Sequence, residues 1–84
     1  MSWCIYMLRC RDGSLYTGCT NDLEHRIKMH SQGKGARYTK AHLPVVLVYS
    51  ESCTDRSHAL RREWELKQLT KEKKEALVAG KESV

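Results

Sequence analysis

The stretch Trp3-Cys4-Ile5-Tyr6-Met7-Leu8-Arg9-Cys10-Arg11-Asp12-Gly13-Ser14-Leu15-Tyr16-Thr17-Gly18 decides the fold. Two short apolar runs, about residues 3–10 and 14–19, flank Arg11-Asp12-Gly13 and read as the strands of one β-hairpin. Loop length then determines which side chains share a face. A two-residue Asp12-Gly13 turn would set Arg9 opposite Tyr16 and put Tyr6 and Tyr16 on opposite faces. A three-residue turn with Gly13 at positive φ pairs Cys10 with Ser14 and Leu8 with Tyr16, and brings both tyrosines to one face. The second register is the one expected, because it aims two phenols from a rigid ribbon at one spot.

Further along, Asn21-Asp22-Leu23-Glu24 is a capping sequence, with Asn21 as the expected cap, and opens a helix to about Gln32. Gly33-Lys34-Gly35 ends it, and a polar, basic stretch runs through Lys40 to Leu43-Pro44. Val45-Val46-Leu47-Val48-Tyr49 reads as a third strand buried on both faces. Thr54 and Asp55 start a second helix reaching about Gln68, and Thr70 caps a third over Lys71 to Val78. Its Lys71-Glu72-Lys73-Lys74-Glu75 segment reads as a solvated face, packing through Leu69, Ala76 and Leu77. One domain over residues 1–79 is expected, with residues 80–84 as a frayed tail.

The 84 residues leave room for a single modest core and for no separate recognition domain. With 15 Lys and Arg against 10 Asp and Glu the chain is basic, which suits a polyanionic partner as well as a plain solvated surface. No signal peptide and no membrane-spanning run is visible, so a cytoplasmic protein without membrane contact is expected. Cys4, Cys10, Cys19 and Cys53 form no Cys-x-x-Cys pair and read as reduced thiols rather than as a zinc site or a disulfide framework.

The helices carry polar residues where hydrocarbon belongs. At about 100° per residue, Met29, Arg26, His30, Leu23 and Ile27 fall in one arc of roughly 160°. On the second helix Leu66, Ala59, Glu63, Lys67, Leu60 and Trp64 share another. Burying charge without a partner costs several kcal/mol (on the order of 3–5), so these groups either pair locally or line a cleft. Glu63 with Lys67 and Arg26 with Asp22 are the local pairs available, each worth about 0.3–0.5 kcal/mol on an exposed helix, and His30 also reads as a satisfied core histidine. Four polar residues on two stripes, with two tyrosines on the hairpin, favour a shared site. Its chemistry would be metal-assisted phosphodiester hydrolysis. One carboxylate holds a divalent ion whose other ligands are water and phosphate, an arginine meets the growing phosphoryl charge, and a phenol or imidazole takes the proton of the attacking water.

On these residues the chain resembles the GIY-YIG nuclease family, in particular its small stand-alone bacterial members, over nearly its whole length. Cys4-Ile5-Tyr6 matches the first signature segment and Tyr16-Thr17-Gly18 the second, with Asn21-Asp22-Leu23 and Arg26 following. Lys34-Gly35-Ala36-Arg37-Tyr38-Thr39, Leu47-Val48-Tyr49 and Arg61-Arg62-Glu63 with Lys67 resemble the stand-alone subgroup. The resemblance implies an α+β fold, a three-stranded antiparallel sheet flanked by helices in the order ββαβαα. It also implies cleavage of DNA with one Mg²⁺ or Mn²⁺. Tyr6 would be the general base or its activator, Tyr16 its partner, Gly18 the point of close backbone approach, Arg26 the transition-state cation, His30 an aid to proton transfer and Glu63 the metal ligand.

Departures from the family pattern are Cys4 for the usual Gly, Thr17 for the usual Ile, Cys19 where some relatives carry Lys, and the lack of a C-terminal Asn. Lys34, Arg37, Tyr38, Lys40 and Lys67 are the expected nucleic-acid contacts, the cations on phosphates and Tyr38 on an exposed base. No extended set of base-reading side chains is present. The expected enzyme is therefore structure-selective or directed by a protein partner in DNA repair or processing, acting on branched, damaged or single-stranded DNA. The alternative is a nucleic-acid-binding module that cuts weakly or not at all.

Overall fold

A computed structural model describes residues 2–80; the rest of the expected tail, residues 81–84, lies outside the described residues. Strands β1 (Cys4–Arg9) and β2 (Leu15–Thr20) are followed by helices α1 (Leu23–Ser31) and α2 (Arg37–Ala41), strand β3 (Val46–Ser52), and helices α3 (Arg56–Lys67) and α4 (Lys71–Val78). The strands form one antiparallel sheet in the order β2-β1-β3, so the fold is α+β as expected. The hairpin takes the three-residue register. Leu8 stands opposite Tyr16, Tyr6 opposite Gly18, and the Cys10 N–H donates to the Ser14 carbonyl at 2.9 Å, with Gly13 at φ 87°.

The strand buried on both faces is β1. Its continuous run Ile5-Tyr6-Met7-Leu8 is 0–2% exposed because it pairs on both edges and is covered on both sides. One face joins Tyr6, Leu8 and Cys10 to Val45, Leu23, Ile27 and Leu43; the other joins Ile5 and Met7 to Leu66, Leu69, Leu77 and Val78. The expectation that the Val45–Tyr49 run is buried on both faces is therefore corrected. Only Val45 is buried, whereas Val46 and Leu47 are 60% and 37% exposed, because β3 has a neighbour on one edge alone.

Each longer helix starts on a side-chain cap. Asp22 accepts the His25 N–H at 3.2 Å, Asp55 the His58 N–H at 2.8 Å, and Thr70 the Lys73 N–H at 3.2 Å. The first cap is one residue later than expected. The basic stretch after Gly35 is not all loop, since α2 lies within it and makes the element order ββααβαα. On α3 the expected six-residue arc shrinks to Ala59 and Leu66, both fully buried, because the helix packs chiefly along the outer strand β2 and only a narrow stripe meets the sheet. Leu60 and Trp64 stay in solvent at 46% and 65% exposure. Helix α4 is tied to the hairpin by Arg9, whose guanidinium clasps both oxygens of Glu75, and by the Lys71 ammonium, which donates to the Gly13 carbonyl at 2.9 Å.

Candidate active site

Tyr6 and Tyr16 project from the hairpin face that α1 covers, with ring centroids 6.5 Å apart. His30, in the last turn of α1, is 1% exposed and lies 5.8 Å from the Tyr6 ring and 5.2 Å from the Tyr16 ring. Its Nε2 is 2.9 Å from the Tyr6 hydroxyl, and its Nδ1 is 2.7 Å from Oγ1 of Thr39 on α2. The Thr39 hydroxyl donates to the Ala36 carbonyl at 3.1 Å. With that proton spent, Thr39 Oγ1 accepts from Nδ1–H, so Nε2 carries the lone pair and accepts from the Tyr6 O–H. A directed chain thus runs Tyr6 → His30 → Thr39 → Ala36.

Two glycines make room for it. A Cβ on Gly18 would come within 2.6 Å of the Tyr6 hydroxyl oxygen, and one on Gly35 within 2.2 Å of His30 Nδ1. Substitution at either would displace a member of the chain. Burial holds the Tyr6 phenol well above its ordinary value, with Tyr16, Glu63 and Cys19 adding to the effect and the Arg26 cation opposing it. Burial first, and then Arg26, holds the His30 imidazole below its ordinary 6.5. Both groups are neutral at physiological pH, as the hydrogen-bond directions require.

Arg26, one turn before His30, is half-buried and makes no ion pair among the described residues. The local pair with Asp22 is not formed, since that carboxylate caps the helix. Glu63 arrives from α3 around the β2 edge, its side chain 19% exposed, and its Oε2 is 2.8 Å from the Lys67 ammonium. Burial, followed by the Glu63 carboxylate beside it, pushes the Cys19 thiol up to about 11, so this residue is a neutral neighbour of the acid. Among the described residues no group of three or more His, Cys, Asp or Glu side chains converges as a metal cage.

The expected nucleic-acid contacts divide. Lys34, Arg37 and Lys40 are exposed on the α1–α2 connection and α2. Tyr38 stacks near Tyr16 with centroids 6.4 Å apart and on His42 at 4.3 Å, and its hydroxyl donates to Ser14 Oγ at 2.6 Å. Lys67 is engaged by Glu63 instead of standing free. Thr39, Gly35 and His42 were not expected near the site. Only the neighbouring Lys34-Gly35-Ala36-Arg37-Tyr38-Thr39 resemblance pointed to their region, because a five-residue helix has no periodicity that could mark Thr39 as buried.

Close relatives include a UPF0213 protein of Desulfotalea psychrophila, 49% identical over 82 residues, covering 96% of this chain and 74% of the relative. Another is a UPF0213 protein of Staphylococcus saprophyticus, also 49% identical, covering 89% and 92%. Among solved structures, the solution NMR structure of a UPF0213 protein from Bacillus halodurans is 46% identical with a TM-score of 0.62, covering 96% of this chain and 86% of that one. The solution NMR structure of a protein from E. faecalis is 36% identical with a TM-score of 0.64, covering 95% of this chain and 85% of that one. The family model described as the GIY-YIG catalytic domain matches residues 2–76, the span that holds both tyrosines, Arg26, His30 and Glu63, and the chain belongs to the GIY-YIG family.

Proposed function

We propose that this protein is a metal-dependent endonuclease that hydrolyses DNA phosphodiester bonds, with Tyr6, Tyr16, Arg26, His30 and Glu63 as its catalytic residues. The directed Tyr6–His30–Thr39 chain beside an unpaired Arg26 carries this reading. Tyr6 acts as a protonated phenol. Its oxygen accepts a proton from the attacking water as its own proton passes to His30 Nε2, so no phenolate forms in advance. Tyr16 packs the phenol in place, and Arg26 offers paired donors to the non-bridging phosphate oxygens as negative charge grows on them.

Glu63 suits one Mg²⁺ or Mn²⁺. It is a hard, half-buried carboxylate with one oxygen left over from Lys67, and a lone carboxylate holds such an ion when water and substrate phosphate complete the shell. The ion, when bound, supplies charge neutralisation and an activated water. Lys34, Arg37, Lys40 and Tyr38 hold the substrate; with no extended base-reading set, selectivity for branched, damaged or single-stranded DNA, or a guiding protein partner, fits a role in repair or processing. The reading places the protein in the cytoplasm, and the described residues include no helix long and apolar enough to cross a membrane.

A weakly cutting nucleic-acid-binding module is favoured by one observation: the Lys67 ammonium occupies one Glu63 oxygen that a metal would share. Cleavage of labelled single-stranded, nicked, flapped and four-way DNAs with Mg²⁺ or Mn²⁺, comparing wild type with Glu63→Ala and Tyr6→Phe, separates the two. Metal-dependent cutting lost in both variants is expected for the nuclease. Binding without cutting, or equal cutting by all three proteins, assigns the module.

A further inference from the structure

Helix α3 buries Leu66 but leaves two large apolar side chains in solvent. Leu60 and Trp64, 46% and 65% exposed, stand at i and i+4 and so cover one patch of helix surface. Measured from Glu63 at about 100° per residue, Arg56 falls near 20°, Lys67 near 40°, Leu60 near 60°, Trp64 near 100° and Arg61 near 160°. The patch therefore begins at the rim of the site, and the only carboxylate in its arc is Glu63, already paired with Lys67. Arg56 and Arg61 form no ion pair among the described residues, whereas Arg62, on the sheet side, is committed to Glu51 and Glu65. Arg61 lies one turn before the indole and Arg56 two turns before it on the same arc, so two unpaired cations flank the Leu60–Trp64 patch.

An apolar ring framed by free cations matches a ligand with a flat π-face on an anionic backbone. A second copy of the chain would bring the same arginines against their own likeness. Two side chains also fall far short of the roughly 800 Å² per partner of a stable protein interface. One stacked base needs no more than an indole, and its loss costs roughly tenfold in affinity.

We infer that Trp64, supported by Leu60, is a stacking platform for an unpaired base of a strand lying across Glu63, with Arg56 and Arg61 on its phosphates. This rests on the reading that the site takes DNA, and it narrows the substrate to strands with unpaired nucleotides on the α3 side of the scissile phosphate.

Trp3 is the other tryptophan, so a Trp3→Phe background makes Trp64 the sole indole. Labelled single-stranded and fully duplex oligonucleotides are titrated in EDTA, with Trp64 emission and DNA anisotropy followed together. Saturable quenching by single strands is expected. Trp64→Leu, which keeps apolar area at an exposed position and preserves the circular-dichroism melt, should weaken single-strand binding roughly tenfold and duplex binding by less than about twofold. Anisotropy reporting single-strand binding with unchanged emission, or wild-type affinity in Trp64→Leu, would overturn the inference and leave the nuclease reading standing. Failure of the wild type to bind either DNA would remove both. An emission shift with protein concentration alone, abolished in Trp64→Leu, would overturn it in favour of self-association.

Discussion

Tyr6 owes its position to an absent methyl group. Its ring crosses the backbone of Gly18, where a Cβ would come within 2.6 Å of the hydroxyl oxygen and 2.7 Å of Cζ. Gly18→Ala is expected to destabilise the fold by about 1–3 kcal/mol in urea unfolding. Cleavage should fall further than stability accounts for, because the phenol leaves His30 Nε2. His30 makes a separate prediction through pH. Its folded-state value lies below the ordinary 6.5, so just below that pH the unfolded chain binds a proton that the folded one refuses. Stability attributable to His30 therefore rises with pH through the window ending at that value, and declines as pH falls into it. Thermal melts between about pH 5 and 7 should show this rise, and His30→Gln should flatten it while the carboxylate-driven loss at lower pH persists.

Helix α2 is the element that completes the site, and it does so through one hydroxyl. Thr39 is 0% exposed, accepts a hydrogen bond from His30 Nδ1–H and donates its own to the Ala36 carbonyl. Thr39→Val keeps the shape and removes both bonds, leaving a buried N–H unpartnered. A loss of about 1–3 kcal/mol is expected, with the imidazole free to change tautomer, so cleavage should drop even where the protein remains folded. This element also marks where the sequence stopped being legible. The hairpin could be read to its register, because Arg11-Asp12-Gly13 and the alternation around Tyr6 and Tyr16 are local signals. Arg26 and His30 stood out in the sequence by their intrusion into an apolar stripe, though the periodicity left open whether Arg26 would pair with Asp22 and whether His30 was simply a core histidine. Thr39 and Gly35 act through contacts across the chain that no short pattern records. Likewise, the Val45–Tyr49 run has the composition of a central strand, but β1 took the centre. The arc on α3 overestimated burial because a helix lying along an edge strand buries less than one lying across a sheet.

The whole molecule carries a net charge of +5, but its cations are not equivalent. Arg9 and Arg62 are committed to Glu75 and Glu51, with Arg62 Nε and Nη2 at 2.8 and 2.9 Å from the two Glu51 oxygens, and Lys67 serves Glu63. Lys34, Arg37 and Lys40, by contrast, are exposed on α2 and the turn before it, beside the stacked Tyr38. Only a cation that is free in the unbound protein can release a counterion from DNA without first breaking a pair of its own, so the salt dependence of binding should count the second group. Replacing Lys34 and Arg37 together by Gln is expected to reduce the slope of log affinity against log salt by about 1.4–1.8, at about 0.7–0.9 per phosphate contact, with little change in melting temperature. Arg62→Gln should do the reverse. It leaves the slope near wild type and costs up to about 1 kcal/mol of stability, because its guanidinium holds β3 to α3 and is already paired with carboxylates. Anisotropy titrations between about 50 and 200 mM salt measure the slopes. Equal slopes for all three proteins would remove the α1–α2 segment from the DNA-binding surface.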